Sequence, residues 1–312
     1  MSVETVARTI SSVPDIIAGI KSGLYTVWGG VVRYSAGHSK GGQIVGHLQF
    51  PGDAAQAAEQ LAKLQEALGG LEGALGVLQN LQYANLALSG LNLAVSVAGF
   101  AIVCKKLNGI SEQLLQQSEK LDVLIEMASA SKAREELRDT ACFSAVLWTV
   151  RQSAEQGDLP GLKSQVNNLR EQYEVTKLTL NQAAANATGK DFITSLDVLQ
   201  NLQQRMMYLG FMQAYVQQHT AGEKYAIEVL KELQADWLKI TTLAVEAIAA
   251  NQEWVEQLTQ EEGNNVISFL EFRKQAVPAI DYQLGLLEYS ASHPEAAGLL
   301  NEEITEIRFL AA

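Results

Sequence analysis

Thirty-two consecutive residues, Gly73 to Cys104, carry no charged side chain. An α-helix needs roughly 20 apolar residues to cross a bilayer, so this stretch is long enough to span one. In a soluble fold it must instead be wrapped on all sides by neighbours. Either use demands a helical setting, because the run has a helical pattern. Gln82, Asn85, Ser89, Asn92, Ser96 and Gly99 follow one another at alternating steps of three and four. On a helix that spacing draws one stripe of small or uncharged polar groups along an apolar cylinder. Gly69, Gly73 and Gly76 extend the stripe backward, and Lys105-Lys106 end the run.

The flanking sequence divides at Pro51-Gly52-Asp53. Before it, Pro14 opens a short amphipathic helix. LYTVWGGVVRYS and QIVGHLQF then read as two strands, rich in β-branched and aromatic residues, joined by the turn AGHSKGG. The expectation is an N-terminal β-hairpin over 24–50, in a first region of residues 1–52. After it, with Asp53 as N-cap, residues 53–312 read as helix throughout. Asn108-Gly109 is the expected break after the uncharged run. Ile110, Leu114, Leu121, Leu124 and Ile125 make a coiled-coil-like stripe, and Leu162, Val166, Leu169, Tyr173, Thr176 and Leu180 a heptad seam. Helices are expected near 133–155, 191–219, 222–259 and 264–291, with a kink at Pro278. A short acidic helix is expected from Pro294. The fold class is therefore mainly α: an elongated bundle of long helices with one very hydrophobic helix and an N-terminal β-hairpin.

Catalytic signals are absent from this pattern. His38, His47, His219 and His293 are scattered, and none stands at metal-ligand spacing to Cys or carboxylates. His38 and His47 read as a solvated loop and strand pair. The later Glu and Lys residues, such as Glu223-Lys224 and Glu228 with Lys231-Glu232, read as solvated helix faces. ANATGKD lacks the first glycine and the strand of a phosphate loop. The expectation is a non-enzyme with no cofactor and no metal. A net charge of −12 disfavours binding to nucleic acid. Cys104 and Cys142 sit in apolar helical contexts, as free thiols do in a reducing compartment. Glu4, Arg8, Asp15 and Lys21 interrupt any apolar signal segment, so a cytoplasmic resting state is expected. Trp28, Tyr25 and Tyr34 read either as hairpin core or as an interfacial aromatic patch.

Three roles remain open for the uncharged run: the buried central helix of a soluble bundle, a permanent membrane anchor, or a helix stored in a soluble fold and released into a bilayer. The run, the seams at Ile110–Ile125 and Leu162–Leu180, and the missing catalytic motifs together resemble the α-helical pore-forming toxins of the haemolysin E and tripartite haemolysin superfamily. The resemblance is architectural and covers most of the chain. It differs in placing the hairpin at the N-terminus rather than between long helices. It implies a pore-forming or membrane-disrupting effector whose hydrophobic helix inserts on oligomerisation. In that reading Gln82, Asn85, Ser89, Asn92 and Ser96 line the lumen. Leu86, Leu88, Leu91, Leu93, Val95, Val97, Phe100 and Ile102 face lipid or neighbouring copies. Lys105 and Lys106 stop insertion at a headgroup layer. The partners are a lipid bilayer after activation, further copies of the chain, and a protein partner reached through the hairpin. From a different class, the alternative is a helical scaffold or adaptor in which the same run is only core.

Overall fold

The computed structural model describes residues 7–51, 54–68, 97–117, 120, 133–296 and 305–311. The fold is mainly α. Its strands are β1 (Ala7–Thr9), β2 (Tyr25–Trp28), β3 (Val31–Tyr34), β4 (Ile44–Gln49) and β5 (Arg308–Ala311). Its helices are α1 (Pro14–Lys21), α2 (Ala54–Leu68), α3 (Val97–Gln116), α4 (Ala133–Gln156), α5 (Leu159–Ser164), α6 (Val166–Ala185), α7 (Lys190–Thr194), α8 (Leu196–Thr220), α9 (Glu223–Ala249), α10 (Gln252–Gln257) and α11 (Gln260–Ser292). Packing divides the described residues into two compact units. One draws on residues 1–99 and 274–312, the other on 100–273.

The first unit is built on a five-stranded antiparallel sheet in the order β1-β5-β4-β3-β2. The antiparallel strands expected over 24–50 are present, but they are three rather than two. LYTVWGGVVRYS does not form a single strand. It folds back at Gly29-Gly30, whose φ angles are 53° and 78°, so Trp28 pairs with Val31 and Tyr25 with Tyr34. Both glycines take the left-handed conformation that a two-residue hairpin turn requires. The turn also presses on α11. A side chain at Gly29 would meet the Pro278 carbonyl at 2.8 Å, and one at Gly30 the Tyr282 ring at 2.6 Å.

The sheet is completed from the far end of the chain. Strand β5 inserts between β1 and β4, with Leu310 opposite both Ala7 and His47. Residues 297–304 lie outside the described residues. The terminal helix expected from Pro294 is seen only as the 3₁₀ turn Pro294–Ala296. Residues 274–292 of α11 cover the sheet. Phe50 lies 5.7 Å from Tyr282, ring centre to ring centre, and the Phe50 backbone N–H donates to the Tyr282 hydroxyl at 3.3 Å. Trp28, at 44 % exposure, donates its indole N–H to Asp281 at 2.5 Å. Tyr25 and Tyr34 meet edge to face, both half-buried. Pro278 lies inside α11 without ending it.

The second unit is helical. Helix α8 is its centre, with Leu199, Met206, Leu209, Phe211, Met212 and Val216 inaccessible to solvent or nearly so. These positions surround the helix axis, as they must on an element enclosed by neighbours. Helices α6 and α9 pack on it. The expected seam of 162–180 is interrupted: Leu162 is buried on α5, the chain turns at Gln165, and on α6 Leu169, Tyr173, Thr176 and Leu180 are buried and Val166 half-buried. Two expected boundaries fall differently. Helix α3 runs straight through Asn108-Gly109. An interior glycine costs only about 1 kcal/mol, and the buried stripe Val103, Leu107, Ile110 and Leu114 holds the helix together. The helix expected over 222–259 instead stops at Ala249. It restarts as α10 after Asn251, whose side chain accepts the Trp254 backbone N–H at 3.3 Å. Asparagine competes for backbone donors, so it caps a new helix more readily than it continues an old one.

Candidate functional site

The uncharged run enters the described structure only at its end. Leu86, Leu88, Leu91, Leu93 and Val95, and the stripe Gln82, Asn85, Ser89, Asn92 and Ser96, lie outside the described residues. Val97, Phe100 and Ile102 fall on the backbone of α3, and their side chains are not among those described. From Val103 onward the helix is two-faced. Val103, Cys104 and Leu107 are buried, while Lys105 and Lys106 are exposed. The lysine pair thus stands on the solvent side of the helix at the end of the run. Among the described residues no helix is long and apolar enough to cross a membrane. Of the Ile110–Ile125 stripe, Ile110 and Leu114 are buried and the remainder lies outside the described residues.

On the other side of the run, α2 buries Ala57, Leu61, Leu64 and Leu68 at steps of four and three. Its surface borders a cleft of about 150 Å³, lined by Ile10, Ile17 and Leu64 with Lys63 and Glu306 at its polar rim. Glu306 accepts from the Thr9 hydroxyl at 3.1 Å. Lys63 pairs with Glu59 at 2.7 Å on an exposed face.

Among the described residues no three His, Cys, Asp or Glu side chains gather to hold a metal. The Cys104 thiol is buried and pushed up to about 12 by loss of solvation, which leaves it a protonated, unreactive core group. Cys142 lies on α4, and its side chain is not among those described.

Two polar clusters were not singled out from the sequence. The first joins α6 to α9. Arg170 makes paired hydrogen bonds to Glu232, at 2.6 and 2.5 Å, and reaches Glu174 at 2.6 Å. Lys177 bridges Glu174 at 2.7 Å and Asp236 at 3.1 Å. Tyr173 lies between the two cations, each 5.5 Å from its ring centre, and donates its hydroxyl to Asp236 at 3.0 Å. Burial, then the neighbouring Asp236 charge, pushes the Tyr173 phenol far up. The hydrogen bond from Arg170 holds the Glu232 carboxyl below the usual carboxylate range. Three carboxylates share two cations here, each charge with an opposite within reach, and the arrangement works as a clip between helices.

The second cluster surrounds His47 on β4. The sequence reading placed this residue on a solvated strand. In the structure it is 5 % exposed and sits under α11. A Cβ at Gly285 would meet its Nδ1 at 3.0 Å, so the glycine lets the helix backbone settle closely on the ring. Tyr289 packs edge-on at 5.4 Å, and His293 stacks on Tyr289 at 4.4 Å. Burial first, then the positive charges of Arg33 and His293, lowers the His47 imidazole to about 4. The sequence around this residue is the string His47-Leu48-Gln49-Phe50. Yet that string alternates polar and apolar, as on a half-solvated strand, and only the structure shows all four side chains buried. His38, by contrast, is exposed and stacks on Tyr34 at 4.8 Å.

Comparison of the chain with protein-family models, with curated proteins and with solved structures returns no match.

Proposed function

We propose that the chain is a pore-forming or membrane-disrupting effector that holds the uncharged segment 73–104 in a protein core and releases it into a bilayer, where several copies assemble. The observation that carries this is the run itself: 32 uncharged residues with a polar stripe at alternating steps of three and four. Uncharged Asn, Gln and Ser hydrate a lumen yet cost far less than charges when buried. Gly90 and Gly99 suit close helix contacts in a membrane assembly. The exposed Lys105 and Lys106 support the role of a stop at the headgroup layer. The test is dye release from anionic and zwitterionic vesicles. Wild type is expected to release dye. Asn85→Leu with Asn92→Leu is expected to bind vesicles but permeate them at least tenfold less. Absence of release and of flotation with vesicles at every pH would overturn the reading.

The scaffold alternative draws support from a different feature. Trp148 on α4 and Leu178 on α6 are 64 % and 63 % exposed, apolar side chains that a partner protein could cover. In that case Asn85→Leu with Asn92→Leu alters only packing stability, and vesicles stay intact at every pH.

A further inference from the structure

The contact between the sheet and α11 in the first unit holds a titratable group that the membrane reading does not use. His47 lies on β4 between Val31 of β3 and Leu310 of β5, its cross-strand neighbours. Above it Gly285 brings the helix backbone onto the ring, and Tyr289 closes the side. The charged groups that act on it are both basic: Arg33 from β3, and His293 just beyond the end of α11. The remaining titratable neighbour, Tyr289, is raised by burial and feels Glu295. Its hydroxyl finds no hydrogen-bond partner among the described residues. The packing around the ring is therefore tight, and the neighbouring Tyr289 hydroxyl offers it no hydrogen-bonded network. A proton on His47 would place a cation there with positive charge beside it.

We infer that His47 is the sensing group of an acid-operated latch: its protonation loosens the packing of α11 residues 274–292 on the sheet. As the trigger of membrane entry, this latch rests on the reading proposed above; as a property of the sheet unit, it stands without it. The direction follows from linkage. The folded unit holds the imidazole neutral down to about pH 4, whereas an exposed histidine takes a proton near 6.5. The open form therefore binds more protons between those values, and stability is lost as pH falls from 6.5 toward 4. At pH 5 the shift amounts to roughly a 30-fold change in the closed-to-open ratio. The sheet therefore weakens at mildly acidic pH, while the net charge of −12 also diminishes as carboxylates protonate.

The test uses the full chain without membranes. Hydrogen exchange of β3, β4 and the 274–292 half of α11, corrected for intrinsic rates, should rise about 20-fold between pH 7 and pH 5. In His47→Gln, which cannot take the proton, most of that rise should vanish. Should that variant fold poorly, the His47 imidazole of the wild type can be followed directly by NMR, and it should stay neutral through pH 5. A His47 signal that titrates near 6.5, or an equal rise in the variant, overturns the latch. Dye release is then read separately. Release that is equally strong at pH 7 and in His47→Gln overturns the latch as trigger while leaving the pore reading intact. A working latch with no release at any pH does the reverse.

Discussion

The two units place polar groups in packed interfaces in opposite ways. In the helical unit, the contact between α6 and α9 carries Arg170, Lys177, Glu174, Glu232 and Asp236, so that every charge has an opposite within salt-bridge distance. In the sheet unit, the contact of α11 with β4 carries His47 with basic neighbours. The first arrangement contributes stability only above the ordinary carboxylate range and loses it as pH falls through the lowered value of Glu232. The second begins to lose stability below 6.5. Between about pH 6.5 and 4.5 acid should therefore act on the sheet unit and spare the clip. One chain should thus carry one interface that tolerates mild acid and one that does not, set first by the burial of His47 and then by the sign of the neighbouring groups.

The comparison can be broken most severely in the helical unit's core. Trp237 is fully buried and packs edge-on against Phe272. Trp237→Ala should cost about 3–5 kcal/mol. It should collapse exchange protection in α8 and α9 at every pH, which urea unfolding followed by exchange would register. Gly285→Ala should have a smaller effect, about 1–3 kcal/mol, by pushing α11 off the His47 ring. Its signature is local: faster exchange in β3 and β4 already at pH 7, and a shallower further rise on acidification. The mildest change is Arg170→Gln. The pairs it removes are partly exposed, so thermal melts at pH 7 should shift by no more than about 1 kcal/mol in stability. A large loss there would mean that the clip, not the core around Trp237, holds α6 on α9.

Much of the helical unit was legible in the sequence because its signals are local. The steps of three and four in 166–180 sit on one face of a helix wherever that helix packs, and their burial follows directly. Boundaries were harder. Asn108-Gly109 looks like a stop, yet α3 passes through it because buried residues on both sides outweigh a cost of about 1 kcal/mol. Asn251 looks like any polar residue, yet it caps α10. The sheet was read only in part. Gly29-Gly30 is a two-residue hairpin signal, masked by the β-branched residues that continue on either side. Strand β5 had no signal of its own, since its pairing partners Ala7 and Gly46 are hundreds of residues earlier in the chain.

The candidate site divides along the same line. The uncharged run, its polar stripe and the lysine pair that ends it are properties of residue order. The exposure of Lys105 and Lys106, the clip around Tyr173 and the burial of His47 came only with tertiary structure. A histidine's chemistry depends on what surrounds it. Those surroundings were assembled from β3, β4, β5 and α11, which meet only once both ends of the chain have joined one sheet.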